Sequence, residues 1–151
     1  MKDLDTMLEE YIEICYKNLR KYKDLLHNAE DIYPLCKTYV EKWKAISQSH
    51  ADIIIHPPNY GYQGISINFY LSPNQNITKD VEMFVDDMND IFKKYDFYLD
   101  DEDLYIDGAW KRYVFSNNKI SIHCIFHFNN SNKCKIVGTG EFVEKKKVVC
   151  E

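Results

Sequence analysis

Residues 109–128, AWKRYVFSNNKISIHCIFHF, decide the fold. Apolar and polar side chains alternate on both sides of Asn117-Asn118, and a period of two marks a strand with one buried face. Asn tolerates the positive φ that a two-residue hairpin turn demands. The segment therefore reads as two antiparallel strands, 109–116 and 119–128, with Asn117-Asn118 at the turn. Such a turn sets Phe115 opposite Ile120, Tyr113 opposite Ile122 and Lys111 opposite Cys124. With Phe126 and Phe128 these form an apolar face. The other face pairs Val114 with Ser121, Arg112 with His123 and Trp110 with Ile125, and His127 continues it.

Working outward, residues 78–95 have the cleanest helical period. Val81, Phe84, Val85, Met88, Ile91, Phe92 and Tyr95 share one stripe, Thr78 stands at the cap position, and Asp80 and Glu82 occupy the first turn. This helix is the natural cover for the apolar sheet face. Ile65, Ile67, Phe69 and Leu71 alternate with Ser66, Asn68 and Tyr70, a further half-buried strand. Before it, Ile53-Ile54-Ile55 runs into His56-Pro57-Pro58, which confines any strand there to an edge. Residues 3–28 and 34–49 read as two helices joined by a short connection, an antiparallel hairpin with Pro34 in the second helix's first turn. Residues 134–137 and 142–150 read as a last strand pair, joined near Gly138-Thr139-Gly140. The order ααβαβββ is that of an α+β fold with a largely antiparallel sheet. One domain spans 1–151, with the hairpin at 1–50 and the sheet plus helix at 51–151. The polar sheet face has two readings. Either the helical hairpin covers it and its residues are ordinary packing, or it is open and binds something.

The chain has 151 residues, a mass of 18.0 kDa and a formal net charge of -5, with 45% hydrophobic and 28% charged residues. That balance belongs to a folded chain and excludes a disordered one. No apolar run approaches the roughly 18 residues of a membrane span, and MKDLDTMLEE has no signal-peptide core. Five scattered cysteines, without CxxC, point to reduced thiols and a cytoplasmic location in a host cell. Charge is unevenly placed: residues 1–50 carry net -1, 76–107 net -8 and 108–151 net +5. An acidic middle beside a basic end implies surfaces with different partners.

Reactive chemistry finds few anchors. His123 and His127 stand four apart, but on a strand that is roughly 13 Å, too far for one metal. A zinc site adding Cys134 and Cys150 would need the strand to fail, so no metal is expected. His56 would need an orienting carboxylate to act as a general base, and none is identifiable. There is no P-loop, HExxH or nucleophile elbow. Gly138-Thr139-Gly140 reads as a tight turn, and Lys145-Lys146-Lys147 as a solvated strand edge. No cofactor is implied. The acidic tract, Asp86, Asp87, Asp90, Asp96, Asp100, Asp101, Glu102, Asp103 and Asp107, reads either as a solvated face or as a mimic of a nucleic-acid backbone. Asp100 to Asp107 lacks the Gly and Glu of an EF-hand loop.

Trp110-Lys-Arg-Tyr-Val-Phe115, Ser121-Ile-His-Cys-Ile-Phe126, Cys134-Lys-Ile-Val-Gly-Thr-Gly140 and Val148-Val-Cys150 together resemble the C-terminal sheet of small bacteriophage-encoded accessory proteins of unassigned function. The resemblance covers about 45 residues. It implies a phage or mobile-element origin, and with it antagonism of host defence. The leading expectation is a non-enzymatic protein that binds and inhibits a host protein, a nucleic-acid-handling defence effector such as a CRISPR nuclease. It would use an acidic surface of Asp86, Asp90, Asp100, Asp101 and Asp103, with Tyr70 and Trp110 as aromatic anchors. The alternative is a protein that binds or sequesters a nucleotide signal, with Arg112 and His123 on its phosphate and Trp110 or Tyr70 stacked on its base. A small hydrolase or metalloenzyme is a third class. Direct nucleic-acid binding is disfavoured by the charge. A homodimer through the N-terminal helices is also expected, because the first helix carries more apolar surface than one partner helix needs.

Overall fold

The computed structural model describes residues 2–56, 64–105, 109–129, 132–137 and 147–150, with backbone alone at 103–105, 134–137, 147 and 148. Within them run α1 (Leu4–Ala29), α2 (Tyr33–Ser47), β1 (Ala51–His56), β2 (Gly64–Tyr70), α3 (Lys79–Lys93), β3 (Tyr98–Tyr105), β4 (Trp110–Ser116), β5 (Ser121–His127), β6 (Cys134–Val137) and β7 (Lys147–Cys150). The fold is α+β. Five strands form a sheet in the order β1-β2-β5-β4-β3, and β6 and β7 form a separate pair. All neighbours are antiparallel except β2 and β5.

The central hairpin forms, with a register different from the expected one. Ser116 pairs with Ser121, Phe115 with Ile122, Tyr113 with Cys124 and Lys111 with Phe126. The loop is four residues long because Asn117 folds it from within. The Asn117 Oδ1 accepts the backbone N–H of Lys119 at 2.8 Å and of Ile120 at 2.9 Å, and the Asn117 N–H donates to the Ile120 carbonyl. This is Asn working as a side-chain turn former rather than as a positive-φ residue. The shift is two residues, so every side chain keeps its face. Arg112 now lies opposite Ile125, Val114 opposite His123 and Trp110 opposite His127.

Both α2 and α3 lie on the apolar face. Trp43 of α2 meets Phe69, Phe84 and Phe126 edge-on with ring centroids 5.5, 5.0 and 5.3 Å away, and Phe69 stacks on Phe126 at 4.7 Å. Tyr39 does the same to Phe84 and Phe92, each at 5.6 Å. Trp43 keeps its one polar atom satisfied by donating Nε1–H to the Tyr70 carbonyl at 3.0 Å. Burying each such side chain stabilises by about 1.5–3 kcal/mol. The expectation that the helical hairpin covers the polar sheet face is therefore corrected. The aromatic stripe of α2 finds its complement beside α3, on the face built from Ile67, Phe69, Cys124 and Phe126.

α3 is capped two residues earlier than expected. The Thr78 side chain makes no capping bond. Instead, Asn76 Oδ1 accepts from the N–H of Thr78 and of Lys79, and Asp80 Oδ2 reaches back to the Asn76 N–H at 2.7 Å. That reciprocal pair is a capping box built on Asn and Asp. Beyond α3, the acidic stretch, to which the sequence assigns no element, is strand β3, paired with β4 through Asp101–Val114, Glu102–Tyr113 and Asp103–Arg112, with a bulge between Leu99 and Asp101. Consecutive carboxylates hide the strand's period, yet an edge strand lined with charge is how sheets avoid pairing with other chains. The thiols also differ from expectation. Cys15, Cys36 and Cys124 are free, but Cys150 is disulfide-bonded. Among the described residues no helix is long and apolar enough to cross a membrane.

Candidate functional site

The sheet's second face gathers polar side chains from four strands. Parallel pairing of β2 with β5 aligns Tyr70 with His127, Asn68 with Ile125 and Ser66 with His123, and β4 adds Trp110, Arg112 and Val114 to the same three rows. Tyr70 and His127 stack, with ring centroids 4.6 Å apart and planes 12° apart. His50 lies 5.6 Å from the other side of Tyr70. Trp110 follows His127 across the next strand, and the Arg112 guanidinium sits 5.8 Å from the Trp110 ring. A row of rings thus crosses one end of the sheet.

Hydrogen bonds hold the row in place. His127 Nε2 meets Asn68 Oδ1 at 2.9 Å, and Asn68 Nδ2 donates to Asp52 Oδ1 at 2.9 Å. The second oxygen of Asp52 lies 3.4 Å from His50 Nε2. Partial burial holds the His127 imidazole below its ordinary pKa, with the Asp52 carboxylate pulling weakly the other way. At neutral pH this ring is uncharged, a stacking surface and not an anion hook. Tyr70, Trp110, Arg112 and His123 lie on one face, but His123 is buried, in the row of Ser66 and Val114, at the opposite end from Tyr70 and Trp110. The sequence reading of a ligand face missed His50 and Asp52, because they precede or begin the short edge strand β1.

A second cluster lies at the other end of the same face. His56 Nε2 pairs with Ser66 Oγ, and His123 Nε2 with Ser121 Oγ at 3.1 Å. Serine beside histidine is the start of nucleophilic chemistry. Ser66, however, is only 2% exposed in the middle of β2, so its hydroxyl has no path to a substrate. The thiols are no better placed for attack. Burial pushes Cys36 up to about 12 and raises Cys124 as well. Among the described residues, no three His, Cys, Asp or Glu side chains are placed to hold a metal ion.

The acidic residues line one border of the molecule. Asp86 and Asp90 are exposed on α3, and Asp100, Asp101 and Glu102 are exposed on edge strand β3. Asp100 Oδ2 accepts from the Ser116 hydroxyl in the bulge. Register puts Glu102 on the helix side, across from Tyr113, and Asp101 on the polar-face side, across from Val114; the Asp103 side chain lies outside the described residues. The tract therefore wraps around the β3 edge instead of forming one flat surface. Its focus is Tyr113. That side chain is 3% exposed, its hydroxyl has no hydrogen-bond partner among the described residues, and burial raises its pKa with help from Glu102, Glu82 and Asp86. Among the described residues only Asp87 of α3 meets a cation, Lys42, at 3.9 Å. Among the described residues Asp86, Asp90, Asp101 and Glu102 make no ion pair, and Lys111 Nζ lies 5.0 Å over the Tyr113 ring.

The expected turn at Gly138-Thr139-Gly140, together with Asp107, Lys145 and Lys146, lies outside the described residues. No family model, curated protein or solved structure matches the chain.

Proposed function

We propose that this is a non-enzymatic binding protein that docks its acidic border, α3 and β3, into a basic groove of a partner protein. One observation carries the reading. Glu82 and Asp86 of α3 and Glu102 of β3 converge around Tyr113, where one cation, Lys111, lies 5.0 Å over the ring and makes no ion pair with them among the described residues. Uncompensated like charge costs stability in the free protein, and a partner rich in Lys and Arg removes that cost on binding. A groove of that kind is what nucleic-acid-handling proteins present to phosphates. Inhibition of a defence nuclease is one instance of this reading, resting on the phage-protein resemblance alone.

The test is affinity capture with the native chain and with an Asp86→Lys, Asp101→Lys variant in parallel. A captured protein that double-stranded DNA displaces, and that the variant fails to retain, supports the docking. Equal retention by both baits, or indifference to DNA, overturns it.

The row of rings favours a second reading, a site for a planar anionic ligand such as a nucleotide. Stacking on Tyr70 or Trp110 with Arg112 at a phosphate would raise the melting temperature in a nucleotide panel and lose that rise in Trp110→Ala. No shift with any nucleotide removes it.

A further inference from the structure

Helix α1 reaches far beyond what the fold uses. Of its 26 residues only Leu25 and Ala29 are buried, and Ile12, Leu19 and Leu26 are 53%, 48% and 58% exposed. These three belong to a strict row: Leu8, Ile12, Cys15, Leu19, Tyr22 and Leu26 are spaced four, three, four, three and four. That is the 3.5-residue repeat of a coiled-coil seam, and it specifies what covers it: another α-helix, supercoiled on the first. The neighbouring row of Leu4, Met7, Tyr11 and Ile14 shares that spacing but is stopped by Asn18 and Lys21, so it runs only half the helix.

Charge names the partner helix and its direction. The first half of α1 with its cap carries Asp3, Asp5, Glu9, Glu10 and Glu13, offset only by Lys2, which bridges to Glu10 at 2.8 Å. The second half carries Lys17, Arg20, Lys21 and Lys23, offset by Asp24. Each half is the electrostatic complement of the other. We infer that α1 pairs antiparallel with α1 of a second copy of this chain. A parallel pair would set the acidic halves side by side.

The antiparallel register follows from the seam. Leu8 lies opposite Leu26 of the second copy, Ile12 opposite Tyr22 and Cys15 opposite Leu19, with the two-fold axis at Lys17. Every layer then joins the two kinds of seam position, as antiparallel coiled coils require. Glu9 and Lys23, which make no ion pair among the described residues, flank the seam and face each other between copies, twice per dimer. The α1 seam is thus a homodimerisation surface, independent of the acidic border on α3 and β3.

Analytical ultracentrifugation of the full chain tests it. The native protein sediments as a dimer in the micromolar range, and Ile12→Asp or Leu19→Asp gives a monomer that still unfolds cooperatively, since neither side chain enters the core. Lys23→Glu places like charges at both flanking pairs and weakens the dimer about fivefold to tenfold. Glu9→Lys does the same, and the double variant Glu9→Lys, Lys23→Glu restores native affinity. A native chain that stays monomeric at hundred-micromolar concentration, or a dimer indifferent to Ile12→Asp, overturns the interface. A double variant no tighter than the singles overturns the antiparallel arrangement.

Discussion

Two residues show how much rests on a single atom or proton. Gly64 opens β2 where it runs against β5, and a Cβ built there would stand 1.9 Å from the Ser121 carbonyl oxygen. The obstacle is backbone, so no rotamer change relieves it. Gly64→Ala is expected to destabilise the fold by at least about 1–3 kcal/mol, read as a lower urea midpoint with unchanged slope. His127 adds a pH dependence. Its folded-state pKa lies below the ordinary value of 6.5, so protonation favours the unfolded chain. The stabilisation is present above the unfolded pKa and is lost as pH falls through the folded one. Stability of the native chain should therefore decline more steeply below about pH 6.5 than that of His127→Asn, and identical pH profiles would refute this. Sequence alone places His127 on the polar face. It does not show the stack on Tyr70, because that contact depends on parallel pairing of strands 50 residues apart.

At the scale of elements, local signals identify helix and strand well and their ends less well. The period of α3 is unmistakable, yet its start is set by Asn76 and Asp80 and not by Thr78. Asn76→Ala is expected to cost about 1 kcal/mol in thermal or urea unfolding, and Thr78→Ala clearly less. The reverse order would assign the cap to Thr78. β3 was hidden for a different reason. Strand recognition from sequence relies on alternating hydrophobicity, and at Asp100-Asp101-Glu102-Asp103 an edge position and a bulge remove the alternation. The hairpin register differs from the expected one because two turn chemistries of Asn, positive φ and side-chain acceptance, leave the same sequence signature. α1 is the opposite case: its seam is written in the chain, and what stands out in three dimensions is that the fold leaves that seam uncovered.

At the scale of the whole molecule, charge is the main unbalanced quantity. The acidic border and the polarised α1 both hold like charges close together in a chain of net charge -5. Screening should relieve the first and weaken the pairing of the second. Raising sodium chloride from low to physiological strength is therefore expected to increase the stability of the Leu19→Asp monomer while loosening the native dimer, and salt-independent melting of that monomer would show the border carries no repulsion. What the sequence determined on its own is local: the alternation that makes strands, the periods of α1 and α3, the blocks of charge, and the α+β class. These follow from side-chain geometry over a few residues, which each segment carries wherever it goes. Tertiary structure alone decided the parallel pairing of β2 with β5, the edge position of β3, and the choice of α2 to lie beside α3 on the apolar face. Each of those outcomes depends on hydrogen bonds and ring packing between segments distant in the chain, whose alternatives look equally good to local pattern and are separated only by how well the aromatic core closes.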